Sequence, residues 1–108
     1  MGNTKGGSLF ENAAFTTLRA WSSLKPGTAL FWYLDRNNME ADFILQGRDG
    51  NIGFEVKKTT SVNLSHAKTL IEARREGLIK EGYVLFDGEG KQQLLEGVFA
   101  LGLRSLVP

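Results

Sequence analysis

Glu40-Ala41-Asp42-Phe43-Ile44-Leu45-Gln46 and Asn51-Ile52-Gly53-Phe54-Glu55-Val56-Lys57, with Gly47-Arg48-Asp49-Gly50 between them, read as two β-strands and a tight turn. Both outer segments are rich in the branched and aromatic residues that suit a pleated surface. Asp49-Gly50 is a strong signal for a two-residue hairpin turn, because both central positions of such a turn need positive φ. A turn centred there sets Asp42 opposite Lys57 and Ile44 opposite Glu55. Side chains two apart on a strand share a face, as do cross-strand partners. Asp42, Glu55 and Lys57 therefore converge on one side of the hairpin, while Phe43, Leu45, Phe54 and Val56 point to the other. A slip of one residue would carry the charges into the core, so the hydrophobic pattern holds the register.

Outward from the hairpin, the spacing of Leu9, Phe10, Ala13, Ala14, Thr17, Leu18 and Trp21 predicts a helix over 8–22. Ser8 and Glu11 fit a capping box at its start. Lys25-Pro26-Gly27 turns the chain, Thr28 to Leu34 reads as a buried strand, and Asp35-Arg36-Asn37-Asn38 as a turn. A second helix is expected over 63–79 with Leu64, Ala67, Leu70, Ile71 and Leu78 inward, followed by a strand from Gly82 to Phe86. Gly97 to Ala100 reads as a last short strand, and Leu101 to Leu106 as a terminal turn or edge. The order is helix, three strands, helix, strand, which makes an α/β fold. Residues 1–6 are expected to be a flexible tail and 7–108 the single domain.

Composition narrows the chemistry. At 108 residues with 42% hydrophobic and 23% charged content, the chain is one ordinary globular domain. It has no cysteine, which excludes disulfides, thiolate metal sites and cysteine nucleophiles. His66 is the single histidine, so histidine-pair metal sites are also excluded, and a capping or surface role suits it. The formal net charge of +1 lacks the surplus of many nucleic-acid binders. No apolar run is long enough for a membrane helix and no secretory signal is present, so a cytoplasmic location is expected. Lys68, Arg74, Arg75 and Lys80 interleave with Glu72, Glu76 and Glu81, as on a solvated helix face.

Two readings of the hairpin charges stand side by side. In one, Asp42 and Lys57 form a cross-strand ion pair, worth roughly 0.2–1 kcal/mol, with Glu55 a solvated neighbour. In the other, two adjacent carboxylates are relieved by a cation, and oxygen-only ligands of this kind suit Mg²⁺ or Mn²⁺. Such an ion would polarise a phosphate oxygen and activate water, while Lys57 would stabilise the developing charge. Glu40, two residues from Asp42, is a neighbouring acid on the same strand, and Thr59 is placed to touch a phosphate. Glu11 has a structural explanation in the capping box.

Asp42, followed by Glu55-Val56-Lys57, resembles the PD-(D/E)XK nuclease signature, with Ala41 in the place of its proline. Gly7-Ser8-Leu9-Phe10-Glu11-Asn12, Glu40-Ala41-Asp42-Phe43-Ile44-Leu45, Phe54-Glu55-Val56-Lys57 and Tyr83-Val84-Leu85-Phe86 together resemble the domain of unknown function at the C-terminus of many prokaryotic AAA-type ATPases. The likeness extends from Gly7 to Pro108. It implies a restriction-endonuclease-like αβββαβ core with a mixed central sheet flanked by helices. It also implies that Asp42, Glu55, the main-chain carbonyl of Val56 and Glu11 hold Mg²⁺ or Mn²⁺, with Lys57 as the catalytic lysine. The expected activity is metal-dependent DNA hydrolysis, in a module of a larger ATPase–nuclease system. The alternative is an inactive nuclease-like domain that binds DNA or docks a protein. A homodimer is a further expectation, with Phe31-Trp32-Tyr33 or the apolar segment Leu101 to Val107 supplying the contact.

Overall fold

A computed structural model describes residues 6–24, 26–35 and 40–106, without the side chains of 6–8, 31–35 and 40–42. The elements, in chain order, are α1 (Gly6–Ser23), β1 (Ala29–Asp35), β2 (Glu40–Gly47), β3 (Gly50–Lys57), a 3₁₀ turn (Leu64–Ala67), α2 (Lys68–Arg75), β4 (Glu81–Phe86), β5 (Lys91–Leu95), β6 (Val98–Gly102) and a second 3₁₀ turn (Leu103–Ser105). The strands form one mixed sheet in the order β1-β2-β3-β4-β6-β5. β1, β2 and β3 run antiparallel, β3, β4 and β6 run parallel, and β5 returns antiparallel along the edge. The α/β class and the succession helix, three strands, helix, strand are as the sequence indicated.

Each helix covers one face. Ala14 and Leu18 of α1 join Phe43, Leu45, Phe54, Val56, Leu85, Leu101 and Leu103 in one core. Ala67 and Leu70 join Ile79, Val84 and Val98 in a smaller core on the opposite face. The alternation along β3 follows from this division. Phe54 and Val56 go to the α1 side, while Gly53 lies under Leu70 and Ile79 on the α2 side.

Several local expectations are corrected. α1 begins at Gly6, so Ser8 lies inside the helix rather than at its N-cap position. Residues 1–5 lie outside the described ones. Leu9 is 75% exposed and Trp21 37%, so the buried stripe is narrower than the apolar spacing suggested. The hairpin closes at Arg48-Asp49, flanked by the pair Gly47↔Gly50, and Asp42 therefore faces Glu55 rather than Lys57. This change of two residues keeps every described side chain of the hairpin on its expected face, since apolar alternation fixes parity and not absolute pairing.

The second helix is shorter than expected. It starts with a 3₁₀ turn capped by Asn63, whose carboxamide accepts the Ser65 N–H at 3.0 Å, while His66 Nδ1 accepts the Asn63 N–H at 3.0 Å. It ends in a Schellman motif: Gly77 takes φ 80°, its N–H bonds the Arg74 carbonyl, and the Leu78 N–H bonds the Ala73 carbonyl. That stop leaves Leu78 59% exposed and brings Ile79 into the core instead, and Leu64 is exposed as well. β5 was not legible as a strand, because Lys91-Gln92-Gln93 is polar and exposed along a sheet edge. Leu101 and Leu103 are buried in the same core as Ala14 and Leu18 of α1. The backbone of Phe31-Trp32-Tyr33 lies in β1; their side chains and Val107 are outside the described residues.

Candidate active site

Glu55 is the one buried charged side chain among the described residues, 3% exposed, near the middle of the sheet. Its strand neighbours Phe54 and Val56 pack toward α1, so alternation turns Glu55 and Lys57 to the α2 face. Laterally, Glu55 is in register with Asp42 of β2 and Val84 of β4. Lys57 Nζ lies 3.6 Å from Glu55 Oε2, and the lysine side chain is 17% exposed. Taking a carboxylate out of water costs several kcal/mol, and an ion pair at this depth recovers that cost only in part. Stability alone therefore favours an apolar residue at position 55. A buried acid beside a lysine that still reaches solvent is the arrangement found where charge is used for chemistry.

The backbone adds a second feature. β2 and β3 pair from Gly47↔Gly50 to Asp42↔Glu55, whereas β1–β2 pairing runs on to Asp35↔Glu40 and β3–β4 pairing to Lys57↔Phe86. Among the described residues, then, the β2–β3 seam opens just past Asp42 and Glu55. A two-residue turn makes Gly47↔Gly50 a hydrogen-bonded pair, so even-numbered residues of β3 aim N–H and C=O at β2 and odd-numbered ones at β4. The Asn51 carbonyl obeys this alternation, accepting from the Lys80 N–H at 2.8 Å just before β4. Val56 is even-numbered. Its carbonyl faces the β2 side at the level where β2 is no longer paired with it.

The remaining expected residues fall into place unevenly. Glu11 is half-buried on α1, one turn ahead of Ala14 and Phe15, on the stripe that ends at Leu18. Its helix covers the face opposite the one to which Glu55 and Lys57 turn. Glu40 opens β2 opposite Asp35, and its side chain, like that of Asp42, lies outside the described residues. Thr59 follows β3 closely: its N–H bonds the Lys57 carbonyl at 2.8 Å, its carbonyl accepts the Asp87 N–H, and its hydroxyl donates to the Ser61 carbonyl. No group of three acidic or histidine side chains placed to hold a metal occurs among the described residues, a set without Asp42's carboxylate. Two residues that the sequence did not single out, Asp87 and Arg104, meet at the same end of the sheet, with Arg104 Nη2 3.3 Å from Asp87 Oδ1. Their meeting depends on β6 pairing with β4, for which the sequence carries no local signal.

With the fold and site in view, comparison with known proteins is informative at the level of family. The family described as "Domain of unknown function (DUF4143)" matches residues 6–106. The chain belongs to this family. The match takes in every element from α1 to the last 3₁₀ turn, so the DUF4143 domain and the folded unit coincide. No curated protein and no solved structure matches the chain. No helix of this DUF4143 domain is long and apolar enough to cross a membrane, among the described residues.

Proposed function

We propose that this DUF4143 domain is a divalent-metal-dependent nuclease acting on DNA, built on a restriction-endonuclease-like core of the PD-(D/E)XK kind. The observation that carries this reading is the buried Glu55, ion-paired with Lys57 and in register with Asp42 where the β2–β3 seam opens. The donor set suits a hard cation: the carboxylates of Asp42 and Glu55 and the main-chain carbonyl of Val56 are all oxygen donors, while Glu11, on the helix that covers the opposite face, stands outside it. When bound, Mg²⁺ or Mn²⁺ supplies Lewis acidity that polarises a phosphate oxygen and lowers the pKa of water. Lys57 holds its ammonium at the solvent-facing side of Glu55, where it stabilises charge developing on a phosphate oxygen. Burial keeps the Glu55 carboxylate fixed and largely shielded from water. Glu40 and Thr59 border this set from the strand before and the loop after it.

The test is cleavage of plasmid and branched DNA in Mg²⁺ or Mn²⁺. Cleavage is expected, with Asp42→Ala abolishing it and Lys57→Ala lowering kcat by about 10²–10³-fold, the usual effect of removing one charge-stabilising donor. Absence of cleavage, together with an Asp42→Ala variant whose metal and DNA binding match wild type, overturns the reading. A second reading, a docking module serving an ATPase subunit, is favoured by a cavity of about 370 Å³ beside α2, lined by Ile44, Leu70, Ala73, Leu78 and Ile79. It requires a stable partner and a dispensable Lys57, both of which co-purification with Lys57 variants would reveal.

A further inference from the structure

β3, β4 and β6 run parallel, so their C-terminal ends meet at one end of the sheet, where Lys57, Phe86 and Gly102 lie in one lateral row. Ligands of open parallel sheets gather at such ends. The loops leaving these strands are tied to one another. The Thr59 N–H bonds the Lys57 carbonyl, the Asp87 N–H bonds the Thr59 carbonyl, and the Arg104 N–H bonds the Gly88 carbonyl at 3.1 Å. Ser105 Oγ accepts the Gly90 N–H at 2.7 Å, fixing the residue after Arg104 to the same loop. Arg104 is thus held at the mouth of the sheet by its backbone, by its neighbour and by Asp87. Its side chain is nevertheless 64% exposed, and Asp87 engages only Nη2.

We propose that Arg104 is a DNA phosphate-contacting residue that positions the strand across Lys57, with Asp87 orienting its guanidinium. This inference rests on the nuclease reading above and adds a residue to it. Gly102, two residues before Arg104, stands two strand spacings, or roughly 10 Å, from Lys57 along the sheet. One strand of B-DNA carries a charge every ~3.4 Å of axis, so two cations this far apart meet different phosphates of one strand. Guanidinium is suited to this contact, because its planar fork donates two parallel hydrogen bonds to one phosphate. Asp87 acts through Arg104 rather than on DNA: it offsets one positive charge while fixing the direction of the fork. Exposed Glu89, in the same loop, opposes the contact electrostatically and sets its edge.

The experiment measures binding of a short labelled DNA duplex by anisotropy, with Ca²⁺ replacing Mg²⁺, between about 50 and 200 mM salt. Arg104→Ala is expected to weaken binding about tenfold and to reduce the salt slope by about one, the signature of one lost phosphate contact. In cleavage assays KM rises with little change in kcat, and Mn²⁺-induced stabilisation stays at the wild-type level. Arg104→Lys restores the salt slope but only part of the affinity, which separates a lost contact from a misfolded variant. Asp87→Asn keeps the slope and weakens affinity less than Arg104→Ala. Wild-type affinity and slope in Arg104→Ala, with wild-type protein that binds and cleaves DNA, overturn this proposal alone. A wild type that neither binds DNA nor responds to Mn²⁺ overturns the nuclease reading and this proposal with it.

Discussion

At the scale of single residues, two groups outside the acidic site carry measurable weight. His66 closes a capping box in a position where glutamate or glutamine is usual, its Nδ1 accepting the Asn63 N–H. His66→Ala is expected to cost about 1 kcal/mol of unfolding free energy, and His66→Gln to retain most of it, as read from urea midpoints. Tyr83 is held above the ordinary phenol range by burial first, and then by the charge of Glu81 and the hydrogen bond to it. Its hydroxyl lies 3.3 Å from Glu81 Oε1. A raised folded-state pKa means the native state keeps its proton where the unfolded chain has lost it. The contribution is therefore complete below pH ~10 and is lost as pH rises through the folded value. Thermal unfolding across that range should show a decline that is blunted in Tyr83→Phe.

At the scale of elements, the shortness of α2 governs how one face of the sheet is covered. Its Schellman stop at Gly77 ends the helix before Leu78, so it spans little more than two turns and packs on β3 and β4. Close approach is possible because β3 offers Gly53 beneath it. A Cβ there would stand 3.0 Å from Ile79 Cδ1 and 3.1 Å from Leu70 Cδ2, both movable ends of side chains. Gly53→Ala is accordingly expected to cost about 1–3 kcal/mol through overpacking, without loss of the fold. Circular dichroism with denaturant unfolding checks both halves of that statement. Normal stability in this variant would show that α2 lifts freely from the sheet.

At the scale of the molecule, stability and the proposed metal-binding function pull against each other at the buried acid. A domain of this size is stable by about 5–15 kcal/mol, so desolvating one carboxylate is a sizeable fraction of the total. Glu55→Gln is expected to leave the metal-free protein as stable as wild type or more so, because the charge is removed and the shape kept. The same change should abolish stabilisation by Mn²⁺. Wild type at a Mn²⁺ concentration 100-fold above Kd is expected to gain about 2.7 kcal/mol, or roughly 10 °C in Tm. Differential scanning calorimetry with and without Mn²⁺ decides it. A metal gain that persists in Glu55→Gln would place the ion elsewhere.

The sequence by itself determined the α/β class, the parity of the hairpin faces and the grouping of Glu55 with Lys57. Each of these follows from a short-range period, two along a strand or nearly four along a helix, that side-chain polarity records directly. It also offered a capping or surface role for His66, from composition and position alone. Tertiary structure decided the pairing of Asp42 with Glu55, since patterning cannot distinguish registers that differ by two residues. It decided that α2 stops early, that β5 exists, and that Leu101 and Leu103 are core, because each depends on neighbours remote in the chain. It also brought Arg104 to Asp87, beside the loop that leaves Lys57. The opening of the β2–β3 seam beside Asp42, Glu55 and Lys57 belongs to this second class. Where two strands part is set by what each pairs with on its far side, and no residue in the hairpin encodes that.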